Sequence, residues 1–144
     1  MTLAAITPRE ASIFACLTDT VVAPEPVLPP VRHTDAASFF DAWLSRAPRR
    51  NRLALRVLLY AIELAPLAHG FGARMRRLDR AERARYLEAI EHSRLAELRQ
   101  LAKLVKGMAF LSYYGDDAVM LRLGYDADAN VRRGRELRAL EGRP

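Results

Sequence analysis

Residues 23–30 read APEPVLPP, four prolines in eight positions. Proline has no amide N–H and locks φ at about −65°, so neither a helix interior nor a central strand can run through such a stretch. An extended connector is the expected outcome, with separate elements on either side. Those elements read as helical. Apolar residues recur at helical spacing on both sides, no strand-like alternation persists, and no internal repeat is present.

Upstream, ITPREASIFACLTDTVV places Thr7 as N-cap, Pro8 at the first helical position and Glu10 at the third. This capping box opens a helix with Ile13, Phe14, Leu17 and Val21 on one face, ending before residue 23. Downstream, Thr34 or Asp35 can cap a second helix over 35–47, with Phe39, Phe40, Trp43 and Leu44 as its apolar face. Pro48 separates it from a third over 49–65. There Arg49, Arg52, Arg56 and Glu63 form one stripe, while Leu53, Val57, Leu58, Tyr60, Ile62 and Leu64 cover most of the rest. That pattern predicts a helix at the centre of the fold, stopped by Pro66. After a bend with a short helical turn over 66–78, Asp79 caps a fourth helix over 80–92, supported by Glu82–Arg85 and Arg85–Glu88 pairs. A fifth spans 94–114, with Leu95, Leu98, Leu101, Val105, Met108 and Leu111 on one face. The expected fold class is all-α: an irregular bundle of about five to seven helices with a Pro-rich extended connector. Residues 1–128 read as a single helical domain and 129–144 as a basic C-terminal helix or tail.

Composition narrows the function classes. With 144 residues, 51% hydrophobic and 28% charged, the chain can bury a globular core without staples. The single Cys16 excludes an intramolecular disulfide framework and a Cys-x-x-Cys-His haem attachment; its setting in IFACL reads as a small buried hydrophobe. A net charge of +6 invites a nucleic-acid or anionic-membrane reading. However, the 23 basic residues are all arginine except Lys103 and Lys106, and they are scattered over the whole chain rather than gathered in a stripe. The N-terminus shows neither a cleavable export signal nor a twin-arginine pair, so the expected location is cytoplasmic, and periplasmic only by export with a partner. The most apolar run, 53–68, carries Arg56, Glu63 and Pro66 and is too short and too charged to span a bilayer.

The distinctive residues concentrate at 110–125, FLSYYGDDAVMLRLGY. Gly115 is expected to end the fifth helix in the left-handed conformation and Asp116 to cap a short sixth over 117–123, with Asp117 near its positive end. Gly124 then stops that helix, and a Schellman-type end would bring Tyr125 back toward Met120. Tyr113 and Tyr114 point about 100° apart. One can enter the core while the other faces sideways or outward, and spacing also leaves open that both pack inside. An exposed tyrosine beside glycine corners and carboxylates suits an interface anchor.

ITPREASIFACLTDTVVAP and KGMAFLSYYGDDAVMLRLGYD resemble the end motifs of the small (gamma) subunit of gluconate 2-dehydrogenase and related membrane-associated sugar dehydrogenases. The likeness is clearest over 6–24 and 103–128. A similar helical segment precedes the flavin domain in fused long-chain alcohol oxidases. The resemblance implies an accessory, non-catalytic subunit that binds, stabilises and often escorts for export a large flavin subunit of the glucose–methanol–choline (GMC) class. FAD is then expected on the partner and no cofactor in this chain, and a cytochrome subunit is a further candidate component. Tyr113, Tyr114, Gly124 and Tyr125 match the signature and, with Asp116, are the expected partner-binding residues. The Pro-rich strap at 23–30 is expected to wrap the partner. This sequence lacks the twin-arginine signal that exporting members carry, and lacks their Gly-Gly-Asn stretch after the aromatic turn. A sugar-acid substrate therefore does not transfer, and the shorter turn is nearer to the alcohol-oxidase-like relatives.

Catalytic alternatives want a constellation. His33, His69 and His92 are far apart; Glu88 and His92 share a helix face, but no di-iron Glu-x-x-His pair or His-Glu-x-x-His motif occurs. GFGARM at 70–75 puts Met75 in the last glycine place of a dinucleotide fingerprint and follows no strand. DADAN at 126–130 opens like a calcium loop but has Val131 and Leu137 where the turn glycine and bidentate glutamate belong. These acids read instead as caps of a final helix over 130–141, rich in Arg132, Arg133, Arg135 and Arg138, and expected to be frayed alone or ordered against a partner. No catalytic or metal residue is expected. The alternative function is a basic helical nucleic-acid-binding or regulatory module, with a small metal-dependent enzyme third.

Overall fold

The computed structural model describes residues 3–140 and Gly142. Among them the chain forms seven α-helices and no strand. These are α1 (Pro8–Val22), α2 (Ala36–Arg46), α3 (Arg49–Ala68), α4 (Arg80–Glu91), α5 (Ala96–Tyr114), α6 (Asp117–Arg122) and α7 (Ala127–Leu140), with 3-10 turns at Val31–His33 and Met75–Arg77. The fold class is all-α, as the helical spacing predicts.

The helix at the centre is α1, not α3. It packs on α2, α3, α4 and α5, and buries Ile13, Phe14 and Leu17. Phe14 stacks on Phe40 of α2 with ring centroids 4.2 Å apart. Its start is the expected capping box: the Glu10 amide donates to Thr7 Oγ1, and the Thr7 amide donates to Glu10 Oε2 at 2.7 Å. Glu10 is fully buried because Arg56 of α3 meets its other oxygen at 2.8 Å. Helix α3 buries Leu58, Leu59, Ile62, Glu63 and Pro66, with Leu55, Tyr60 and Ala65 packed partly buried against the core. Leu53, Val57, Leu64 and Leu67 stay exposed.

Pro66 does not stop α3, which runs on to Ala68. A proline removes the amide that would bond the carbonyl four residues back. That carbonyl belongs to Ile62, and the buried Tyr86 hydroxyl of α4 donates to it at 3.1 Å. The orphan acceptor is therefore satisfied from another helix. Asp79 caps α4 as expected, again in a capping box, with Glu82.

Other expectations need correction. Neither the Thr34 nor the Asp35 side chain caps α2, since Thr34 Oγ1 donates instead to the Val31 carbonyl. Only Phe40 and Leu44 of its apolar face are buried, leaving Phe39 and Trp43 exposed. The other buried positions of α2 are Ala36 and Asp41, and Asp41 holds the segment ahead of α1: its Oδ1 accepts from the Ala5 and Ile6 amides and its Oδ2 from the Ala4 amide, all within 2.9 Å. On α5 the buried stripe is Val105, Met108, Ala109, Ser112 and Tyr113, while Leu95 and Leu111 face outward. Cys16 is only half-buried; the Arg83 guanidinium donates to its Sγ at 3.0 Å, and burial raises its thiol pKa. The final helix begins at Ala127 rather than 130, and α7 buries no residue. Residues 141, 143 and 144 of the expected tail lie outside the described residues.

Candidate interaction site

The C-terminal end of α5 approaches the start of α2, and small side chains make this possible. Ala109 and Ser112 occupy buried positions, and Gly115 follows. Gly115 does not take the left-handed conformation; its φ is −82°. The glycine is needed for space, because a Cβ there would lie 2.6 Å from the Leu111 carbonyl oxygen. Asp116 then caps α6, its Oδ1 accepting from the Ala118 and Val119 amides. Its Oδ2 accepts from the Asp35 amide at 2.8 Å, joining the α5–α6 corner to the start of α2. Both carboxylate oxygens are thus engaged in holding backbone.

Gly124 ends α6 as expected, with φ 74°. The Tyr125 amide donates to the Met120 carbonyl and the Gly124 amide to that of Leu121, the two bonds of a Schellman end. The Tyr125 ring itself is exposed. Asp126 immediately precedes α7, its Oδ1 accepting from the Ala129 amide at 2.9 Å, and Asp128 lies in the first turn, so the DADAN acids open a helix rather than a calcium loop.

The two tyrosines part company. Tyr113 is 0% exposed and Tyr114 39%. Tyr113 lies in a small second core with Val31, Ala36 and Val119, and its hydroxyl donates to the Pro29 carbonyl at 2.7 Å. Burial, reinforced by Tyr114 and Asp116, raises its pKa. Tyr113 is therefore a buried anchor for the Pro-rich connector and presents no side chain to a partner. The connector is held by its own chain, and it is not extended throughout: a turn at 25–28 is closed by the Leu28 amide on the Glu25 carbonyl.

Around this frame lie exposed apolar residues that sequence reasoning missed. The Tyr114 ring meets Tyr113 edge-on at 5.1 Å and Phe110 at 6.0 Å. Phe110, Leu111, Leu121 and Leu123 are all exposed. A signal for the first two was available: Ala109 and Ser112 mark the close-packed side of α5, which turns 110 and 111 outward. Between the α2 start and the corner runs an open cleft of about 360 Å³ walled by His33, Asp35, Phe39, Asp116 and Asp117. Among the described residues no group of three or more His, Cys, Asp or Glu is placed to hold a metal ion. His92 Nδ1 lies 2.9 Å from the Glu88 backbone carbonyl oxygen. The corner thus presents aromatic rings, aliphatic side chains and carboxylates on a backbone fixed by the Asp116 cap and the Gly124 end. Among the described residues no helix is long and apolar enough to cross a membrane. No family model, curated protein or solved structure matches this chain.

Proposed function

We propose that this protein is an accessory, non-catalytic subunit that docks through its α5–α6 corner on a large flavin-dependent GMC-type dehydrogenase or oxidase. The observation that carries the reading is the exposure of Phe110 stacked on Tyr114, and of Leu111, Leu121, Leu123 and Tyr125, on either side of a corner fixed by Asp116 and Gly124. Aromatic residues ringed by polar groups make good interface cores, because tyrosine buries a large apolar body and keeps a polar tip. The resemblance of residues 6–24 and 103–128 to gluconate 2-dehydrogenase small subunits supplies the identity of the partner. FAD and the redox step belong, on this reading, to the large subunit.

The test is native purification of the full chain from its own cell. A co-purifying protein of several hundred residues with flavin absorbance is expected, and Tyr114→Ala with Leu121→Glu should abolish its recovery while leaving the helical circular dichroism unchanged. A full chain that purifies alone, or a flavoprotein retained equally by the double variant, overturns the proposal. The exposed Arg132, Arg133, Arg135 and Arg138 of α7 favour one other reading, a basic nucleic-acid-binding module. It requires affinity for DNA or RNA that falls steeply with salt as counterions are released.

A further inference from the structure

Five aspartates gather around the α5–α6 corner. Asp35, Asp116, Asp117, Asp126 and Asp128 line two open clefts that meet at Asp117, one of about 360 Å³ and one of about 330 Å³. Over residues 115–129 four aspartates stand against the single Arg122, in a chain whose net charge is +6. Ion pairs form at Glu10, Asp19, Glu63 and Glu91, yet among the described residues none reaches any of the five. The two clefts repeat one composition. The first sets the exposed Phe39 ring beside Asp35, Asp116 and Asp117; the second sets the exposed Tyr125 ring, with Met120 and Leu121, beside Asp117, Asp126 and Asp128. Donors in the first cleft are already committed, the Asp35 and Ala118 amides to Asp116 and the Ser112 hydroxyl to the Ala109 carbonyl. Ser112, only 1% exposed, lines that cleft, and no described group donates to its oxygen.

We infer that the two clefts together seat a dibasic segment of a partner protein, one arginine or lysine side chain in each, with Asp117 shared between them. A cleft lined by one sign of charge focuses the field and draws in the opposite charge. Carboxylates gathered on one corner repel one another, and a bound cation removes that repulsion while the carboxylates accept its N–H groups. The rings decide the class of cation. A hard divalent ion takes oxygen ligands and gains nothing from Phe39, Met120 or Leu121. A guanidinium or ammonium on an alkyl stem uses all of them, its head on the carboxylates and against an aromatic face, its stem along the aliphatic side chains. The exposed Leu111 and Leu123 of the same corner extend the contact beyond the two charges, which a protein segment can cover and a free polyamine cannot. That the segment belongs to a flavoprotein rests on the docking reading above; that the corner takes a dibasic segment does not.

The probe is a blocked Arg-Ala-Ala-Arg peptide titrated at low salt into the full chain, followed by calorimetry and by the ring resonances of Phe39 and Tyr125. Saturable binding that shifts both rings is expected. Replacing both arginines by citrulline, which keeps the shape and removes the charge, should weaken it roughly tenfold or more. Asp117→Asn should weaken it by a similar factor, and Phe39→Ala by about two- to fivefold, the range for a cation over an exposed ring. Both positions are exposed, so the helical circular dichroism should not change. Affinity indifferent to Phe39→Ala, or magnesium displacing the peptide at equal concentration, would mark a plain acidic surface and overturn the inference. Spermidine binding as tightly as the peptide would overturn the protein segment as occupant. A chain that brings down a flavoprotein yet ignores the peptide loses this inference alone. One that binds the peptide but has no flavoprotein companion keeps it and loses only the docking reading.

Discussion

Asp41 is a single carboxylate on which the start of the chain hangs. Burial alone would raise its pKa, but the Ala4, Ala5 and Ile6 amides outweigh burial and hold it below the ordinary aspartate range. Glu10 behaves alike: burial raises it, while Arg56 and the Thr7 amide and hydroxyl bring it down further. A carboxyl whose folded pKa is depressed contributes stability that is complete above its unfolded value, about 4, and is lost as pH falls through the folded one. Stability is therefore expected to be level at neutral pH and to fall steeply below about pH 4. Asp41→Asn should cost about 1–3 kcal/mol at neutral pH, because it removes a charged acceptor from buried amides. It should also flatten the acid limb. Thermal melts across the pH range measure both, and a wild-type acid slope in the variant would show that Asp41 is not the titrating group.

Among the elements, α3 illustrates how a local rule is overridden. Pro66 reads as a helix stop, yet the helix continues because Tyr86 satisfies the carbonyl that proline leaves open. Tyr86→Phe should therefore destabilise by about 1–2 kcal/mol, leaving the Ile62 carbonyl without a partner. In a Pro66→Ala background the amide returns and can serve that carbonyl itself, so the same Tyr86→Phe change should cost markedly less. Denaturant unfolding of the four proteins gives the coupling; equal costs in both backgrounds would contradict the account. Helix α5 carries a related lesson at Gly115. The residue type was legible as a corner, but the reason is the close approach to Leu111 rather than a left-handed backbone.

Across the whole molecule, α1 is surrounded while α7 has no buried residue. A lone surface helix of 14 residues is marginal in water. Deleting 127–144 should consequently change the unfolding free energy of the free chain by less than about 0.5 kcal/mol. Amide exchange should be fast along α7 in the free protein and slowed if a partner covers it. A large loss of stability on truncation would mean that α7 packs on its own chain.

What the amino-acid order determined alone is the punctuation of the fold. Thr7 with Glu10, Asp79 with Glu82, Asp116 and Gly124 all act where the sequence places them, because each bonds to groups within a few residues. The all-helical class follows from the same short-range periodicity. Tertiary structure decided which apolar residues are inside. Tyr113 is sealed by Pro29 and Tyr114 is not, α1 rather than α3 takes the centre, and Asp41 finds amides more than 30 residues away. Burial depends on the space left between helices and on partners distant in the chain, and neither quantity is written in local spacing.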